Sequence, residues 1–577
     1  MLLSTKWTEE NLSEYRLQGD IEVDELVAKV LPKAGSEAIG TFGYNEMLLL
    51  SDQLINTPEL ALIKGSKLSE HLKTIPDDLV QYFEPMEAPD WVDQTKLQAG
   101  SKLWKQNTLM SLGVLYSSSL PACYLMKNGI SALYKSEKLR DKQYVFQRIY
   151  ETGIMLATTM DPGGISILED AEYDDDKLLL AALKNLDAES GWSQKGPCCK
   201  KTKDKGESQL DPQDVHDEVE RLRDKSKRYL WGKGYINAKK VRFLHAAMRY
   251  MLIQENQCCP FNGKPNSFTD ALSQDERPWD FAKFGHPINQ EDLAYTLLTF
   301  GMLIPRGLKR WGIPVSKQEQ EGFLHLWKVI GHTMGIRSEL LTDNWEEAEQ
   351  LYALIQKRQA GHSKAGVVLT ESLMGFLNDY LPRFPGFSER LSTALIVNQL
   401  GMEQASKIIS EKNMKTTFTF WRRPIYKIVG QSFKVFLHLR GIYYRRYKHL
   451  GWITANRIHE AAEQLIQSWR SAYLRKPFFV PVNTTQWIRK PGVDQKFISK
   501  LRSWRRRLLN TIVLSLGLLS VSVFSLSVAF PLWLFDGESA VTTCLSIALV
   551  SWISFFVLMN NWLPVIFSKR PLIGPEK

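Results

Sequence analysis

The chain has 577 residues, 44% of them hydrophobic and 24% charged, which is enough apolar material for a sizeable core and a length that suggests two to four domains. Its formal net charge is +10, yet residues 412–507 hold 22 Lys and Arg against 3 Asp and Glu, so the remainder is acidic and the basic excess belongs to one region. The six cysteines (Cys123, Cys198, Cys199, Cys258, Cys259 and Cys544) fit a reducing compartment, and the two vicinal pairs lack the C-x-x-C spacing of zinc or redox sites.

Helical periodicity runs through most of the chain. EVDELVAKVL (22–31), NEMLLLSDQLI (45–55), DKQYVFQRIYETGIMLATTM (141–160), DLAYTLLTFGMLI (292–304) and HEAAEQLIQSWRSAYL (459–474) repeat apolar residues at three- and four-residue steps. Convincing alternating strands are absent. Pro and Gly stop the helices at PKAGSE, EPMEAPD, DPGGI, GKPNS, FGHP and PRFPGF, so an all-α domain is expected over residues 1–383. From about 168 to 224 lies an insertion with an acidic patch (EDAEYDDD), a short amphipathic stretch (KLLLAALKNL) and a lysine-rich polar tract. It reads as a surface loop; the alternative is that its LLLAAL portion packs over the entrance to a site.

Residues 384–507 read as helices with interleaved bases and aromatics, such as FWRRPIYKIV and FLHLRGIYYRRYKHLGW. Nucleic-acid binders share that pattern. Here it directly precedes two long apolar runs, which favours a juxtamembrane region whose bases meet anionic headgroups, and argues against nucleic acid. Leu508–Phe535 and Ala540–Phe567 each run 28 residues without a charge, separated by DGES. Both are long enough to span a bilayer, so a two-helix transmembrane hairpin is expected over 508–567, with a tail at 568–577. Lys500, Arg502 and Arg505 to Arg507 before the first run, and Lys569 and Arg570 after the second, place both termini and the large domain on the cytoplasmic side. The opening MLLSTKWTEENLSEY has neither the basic leader nor the apolar run of a secretory signal.

One helical segment, KVRFLHAAMRYML (240–252), carries polar residues where a buried helix should carry none. Arg242, His245 and Arg249 share a stripe, because offsets of three and seven residues return to nearly the same side of a helix. An arginine buried without a partner costs several kcal/mol, so the stripe demands an anion. A haem meets the demand if His245 ligates iron while Arg242 and Arg249 reach its propionates. The alternative is a hydrogen-bonded histidine in a polar core with the arginines paired to Asp or Glu. His325 and His332 lie seven apart on one helical face, where packing is favoured over a second metal site; His438, His449 and His459 read as surface or packing residues, and His286 is given no role. A Walker A loop, a G-x-G-x-x-G after a strand, an H-E-x-x-H helix and a G-x-S-x-G elbow are absent, which leaves nucleotide use and triad hydrolysis unsupported.

Upstream, Arg148 and Thr152 stand four apart with Glu151 beside them, followed by Pro162-Gly163-Gly164. Together with Val241–Arg249, with Trp279 and GHPINQEDLAYTLLTF (285–300), with WKVIGHTMGI (327–336) and with PDWVDQTKLQAGSKLW (89–104), these elements resemble, in order, the catalytic domain of the haem b rubber oxygenases (latex clearing proteins) and of the prenyl-chain-cleaving oxygenase of the mycophenolate pathway. The resemblance covers about residues 20 to 410. It implies a globin-like helical haem domain, His245 as the axial iron ligand and Arg148, Glu151 and Thr152 as the distal catalytic set. It also implies haem b as cofactor and dioxygen as co-substrate. Glu151 stands where the rubber oxygenases carry a lysine able to occupy the iron, so the lysine-ligated resting state is not expected here. For the family's separate upstream acid, Glu137 is the nearest candidate.

The expectation is therefore a membrane-anchored haem b oxygenase that cleaves or oxidises a C=C bond in an isoprenoid or unsaturated lipid, with membrane lipids and a polyprenyl-type substrate as its partners. The alternative is a haem-binding membrane sensor or carrier without turnover.

Overall fold

The structure is a computed structural model that describes residues 6–30, 77–135, 152–169 except 154, 228–258, 279–378, 387–419, isolated positions between 430 and 459, 495–534 and 538–558. Helices α1 (Glu9–Tyr15) and α2 (Ile21–Val30) precede α3 (Gln94–Val114), which continues into a π-helical turn at Leu115–Ser119. Next come α4 (Lys233–Cys258), α5 (Gln290–Gly301), α6 (Leu303–Arg310), α7 (Lys317–Thr333), α8 (Trp345–Gln359), α9 (Lys364–Asn378) and α10 (Phe387–Leu400). The last two are α11 (Gln495–Leu534) and α12 (Glu538–Val557). Several begin on side-chain caps that occupy otherwise unpaired N–H groups: Thr8 with Asn11 at α1, Asp93 at α3, Asn289 at α5, Ser316 with Glu319 at α7, and Asn344 at α8.

α3 lies along α7, α4 packs on α2 and α7, and α5 sits between α7 and α8. Trp104, Tyr235, Phe243, Tyr295 and Phe323 are fully buried where these helices meet. Ring pairs add to the fit, with Phe300 stacked on Trp327 at 5.1 Å and Tyr295 on Tyr352 at 5.0 Å. The core does not stop at residue 383. Ile396, Ala405, Ile408, Ile409 and Leu437 belong to the same buried cluster, because α10 packs back onto α9. The helices on either side of the PRFPGF break therefore share one packed core.

The fold is mostly helical, as the all-α expectation has it, with one small sheet besides. Three short strands, β1 (Met86–Glu87), β2 (Ser166–Glu169) and β3 (Arg228–Trp231), form an antiparallel sheet in the order β1-β3-β2. Strands of two to four residues are too short to write an alternating pattern into a sequence. Their register explains the insertion: Ser166 pairs with Trp231 and Glu169 with Arg228, so the chain leaves and returns at adjacent positions of one ladder. An excursion anchored in this way adds length without moving α4, and its ends fall at about 170 and 227. The inserted residues themselves lie outside the described residues.

Part of the basic region faces the core. The His438 ring contacts the Gly312 carbonyl at 3.2 Å. His459, 5% exposed, lies 2.7 Å from the Thr108 hydroxyl on α3 and 3.2 Å from the Asp161 carboxylate. His449 lies outside the described residues.

α11 and α12 pack against each other along their lengths. Their pattern is inverted relative to a soluble protein: Phe524 (68% exposed) and Val550 (64%) point outward, while Ser515, Ser522 and Ser551 are buried between the helices, where the Ser522 hydroxyl donates to the Ala548 carbonyl at 3.0 Å. Among the described residues one helix, at Glu538–Phe555, is long and apolar enough to cross a membrane; the apolar part of α11, Val513–Ala529, is shorter.

Candidate functional site

α4 is held at its start by the DPGG turn. The Gly164 carbonyl accepts from the Gly234 N–H at 2.6 Å and the Tyr235 N–H at 3.3 Å, which satisfies donors that a helix start leaves unpaired. A Cβ at Gly234 would lie 2.7 Å from Gly164 O and from Thr159 Cα, so only glycine lets the turn and the helix approach this closely. The helical residues 155–160, preceded by half-buried Thr152, are thereby tied to the helix that bears His245. Arg148 and Glu151 lie outside the described residues.

The anionic partners of the arginine stripe come from α2 and the residue before it. Arg242 makes two bonds to Asp20, Nε to Oδ2 at 2.6 Å and Nη2 to Oδ1 at 2.8 Å, and a third to Glu22 at 2.7 Å. Arg249 Nε donates to Asp24 Oδ1 at 2.7 Å. Burial works against the Arg242 charge, but the hydrogen bonds and charge of Asp20 outweigh it and hold its pKa above the usual value. At Asp24 burial dominates and raises the carboxyl despite Arg249. The protein thus supplies a carboxylate to each arginine itself, although Arg249 Nη2, in ion-pair range of Asp24, makes no hydrogen bond among the described residues. Asp20, Glu22 and Asp24 were not singled out in the sequence. The signal for Asp20 and Asp24 was their four-residue spacing in GDIEVDEL.

Two signature residues lock this pair. Gly335, at φ +75°, sits so close that a Cβ there would lie 2.4 Å from Arg242 Nε and from Asp20 Oδ2. Gln290 donates to the carbonyls of Gly19 (2.9 Å) and Gly335 (3.1 Å) and accepts from the Arg337 N–H at 3.0 Å. Its neighbour Glu291 is completely buried and takes Arg16 (3.1 Å), Arg358 (3.0 Å) and Gln359 (3.3 Å). Arg249 also reaches the carbonyl of Ile288 at 3.4 Å; Ile288 has φ 51°, strained for a β-branched residue. The Trp279 indole donates to the Gly285 carbonyl at 2.8 Å. These motif residues build the frame.

With one side of α4 on α2 and another (Phe243, Ala246, Ala247) fully buried, the face left partly accessible carries Val241, Leu244, His245 and Met248. These span about a third of the helix circumference. The His245 imidazole lies at the edge of this apolar strip nearest the arginine stripe, and a single imidazole beside apolar side chains fits a planar apolar group. It does not fit a metal held by protein side chains alone, and no group of three or more His, Cys, Asp or Glu placed to hold a metal occurs among the described residues.

The other histidines pack, as expected of His325 and His332. His325 Nε2 accepts from the Asp93 N–H at 3.0 Å, and burial first, then Lys96, pushes its pKa down to about 4. Trp91 stands edge-on to His325 and His332, with ring centroids 5.9 and 5.7 Å away. His286 lies 3.2 Å from the Pro287 carbonyl and is held below its usual pKa by burial.

Residues 232–422 match the family described as ER-bound oxygenase mpaB/B'/Rubber oxygenase, catalytic domain. A rubber oxygenase from Streptomyces sp. (strain K30) is 26% identical over 146 residues, which cover 25% of this chain and 31% of that protein. The chain thus spans about a third of the length of that relative. The solved structure of latex clearing protein LCP in the closed state aligns with a TM-score of 0.45 and 18% identity over 74% of this chain and 84% of that one.

Proposed function

We propose that this chain, whose residues 232–422 belong to the mpaB/rubber oxygenase catalytic-domain family, is a membrane-anchored haem b oxygenase that uses dioxygen to cleave or oxidise a C=C bond in an isoprenoid or unsaturated lipid. The observation that carries the proposal is the partly accessible apolar face of α4, with His245 at its edge beside the arginine stripe and two arginine–aspartate pairs, one of them fully buried, fixing the helix. Haem b, when bound, supplies the iron at which dioxygen reacts.

His245 would hold that iron, and Val241, Leu244 and Met248 would supply apolar surroundings beside it. Arg242 and Arg249 act at one remove: by fixing α4 on α2 they set the direction in which the imidazole points. Arg148, Glu151 and Thr152 form the distal set. The Glu151 carboxylate takes an allylic proton from the substrate, Arg148 orients that carboxylate or holds oxygen, and Thr152 offers a hydroxyl. The Gly164–Gly234 contact, with Thr159 against Gly234, supports this by holding the stretch after Thr152 close to the start of α4.

Anchoring through α11 and α12 suits a water-insoluble substrate. Their outward apolar and inward serine pattern supports a bilayer-embedded hairpin, and the charge asymmetry of its flanks supports a cytoplasmic haem domain. The experiment is purification of the full chain, followed by a pyridine haemochrome spectrum and an oxygen-dependent cleavage assay on polyprenyl and unsaturated-lipid substrates. A Soret band with haem b stoichiometry and carbonyl products support the reading. Colourless protein, or haem without turnover on any of them, rejects it.

A further inference from the structure

We propose that His459 is a positioning residue for the start of α4: it ties the basic region ahead of α11 to the DPGG turn on which that helix begins. The inference rests on the oxygenase reading only in that α4 carries the candidate iron ligand. His459 is 5% exposed and both of its ring nitrogens are engaged, Nδ1 at 2.7 Å from Thr108 Oγ1 and Nε2 at 3.2 Å from Asp161 Oδ1. The tie comes from outside the matched catalytic domain, which ends at residue 422. Thr108 stands where α3 kinks. Asn107 departs from helical angles (φ −128°, ψ 23°), and side chains bond the carbonyls of the preceding turn: Asn107 Nδ2 donates to Leu103 O at 3.2 Å and Thr108 Oγ1 to Trp104 O at 3.0 Å.

Asp161 opens the turn. Its carbonyl accepts from the Gly164 N–H at 2.8 Å, and the Gly164 carbonyl accepts from the N–H groups of Gly234 and Tyr235 at the start of α4. The turn and the helix touch without slack, since a Cβ at Gly232 would lie 2.5 Å from Gly164 O. A shift of Asp161 therefore strains or breaks the bonds that hold the first turn of α4. Asp161 Oδ1 is buried and makes no hydrogen bond among the described residues, so the imidazole facing it is what offsets the cost of its burial. Without His459 that oxygen gains by moving towards water, and the turn moves with it. Upstream, the same basic region is anchored on the core: Leu437 is 2% exposed within the main buried cluster, the His438 ring contacts the Gly312 carbonyl at 3.2 Å, and Gly441 lies so close to Pro314 that an added Cβ would clash with the proline ring. With that anchor and the Thr108 contact, the imidazole holds Asp161 in place instead of following it.

The test is hydrogen–deuterium exchange of the full detergent-purified chain, read by mass spectrometry on peptides covering Gly234 and Tyr235, with peptides from the buried part of α7 as the reference. It needs neither haem nor turnover, so its failure is distinct from a failure of the oxygenase reading. His459→Ala should speed exchange at Gly234 and Tyr235 at least about tenfold while α7 stays nearly unchanged, because a local opening is released without unfolding of the core. A variant that merely weakened the whole fold would speed both. Asp161→Ala should act in the same way and serves if His459→Ala fails to fold. The double variant should exchange no faster than the faster single one, since each removes the same tie. Unchanged exchange at Gly234 and Tyr235 in the folded variants, an equal rise in α7, or additive effects in the double variant overturns the assignment.

Discussion

Arg242 and Asp20 meet through two parallel hydrogen bonds, 2.6 and 2.8 Å, with both side chains about 95% removed from solvent. The pair joins the helix of the candidate iron ligand to the N-terminal segment, across 222 residues of sequence. A buried guanidinium that loses its carboxylate keeps its desolvation cost without compensation. Asp20→Asn should therefore destabilise the fold by about 3–5 kcal/mol, whereas Asp20→Leu combined with Arg242→Met should recover most of that loss. Thermal unfolding followed by circular dichroism measures both; a near-neutral Asp20→Asn would contradict the buried pair.

Gly335 makes that approach geometrically allowed. Gly335→Ala forces a Cβ to 2.4 Å from the pair at a backbone angle unfavourable to alanine, and should cost on the order of 2 kcal/mol or more. Gly375→Ala, in α9 with nothing within 4 Å of the added carbon, is the matched control and should be neutral or mildly stabilising. Similar melting temperatures for the two variants would remove the steric argument.

The assignment of His245 separates cleanly from the packing histidines. His245→Ala should lose haem, while His325→Ala and His332→Ala retain it, as read by the Soret-to-protein absorbance ratio. Full occupancy in the His245 variant would reject the ligand assignment.

His325 gives a pH signature. Its folded-state pKa of about 4 lies below the unfolded value near 6.5, so between those values the unfolded chain binds a proton that the folded chain refuses. Its contribution is full above pH 6.5 and fades as pH falls towards 4. His325→Gln should flatten the dependence of Tm on pH in that window. An unchanged slope would show that the imidazole titrates normally.

Topology is open to labelling. If α11 and α12 form a hairpin with cytoplasmic ends, Ser539→Cys reacts with an impermeant maleimide from outside intact cells, and a cysteine substituted at Lys577 does not. The reverse pattern would move the large domain to the other side.

What the sequence by itself determined is local. Helical periods, caps such as Ser316 with Glu319, the DPGG turn, the uncharged C-terminal runs and the ordered motifs around His245 are all written within a few residues of one another, because helix geometry repeats over short spans. Tertiary structure alone decided which acid meets which arginine. The sequence required an anion for Arg242 and Arg249, and both a haem and a carboxylate met that requirement; the packing of α2 on α4 chose Asp20 and Asp24. It likewise decided that the insertion hangs from a β2–β3 ladder too short to show a period, and that the core runs past residue 383 to Ile409. It also decided that His459, readable from sequence as either a surface or a packing residue, is a buried contact to Thr108 and Asp161. Such pairings join residues hundreds of positions apart, and their energies depend on burial, which no local pattern encodes.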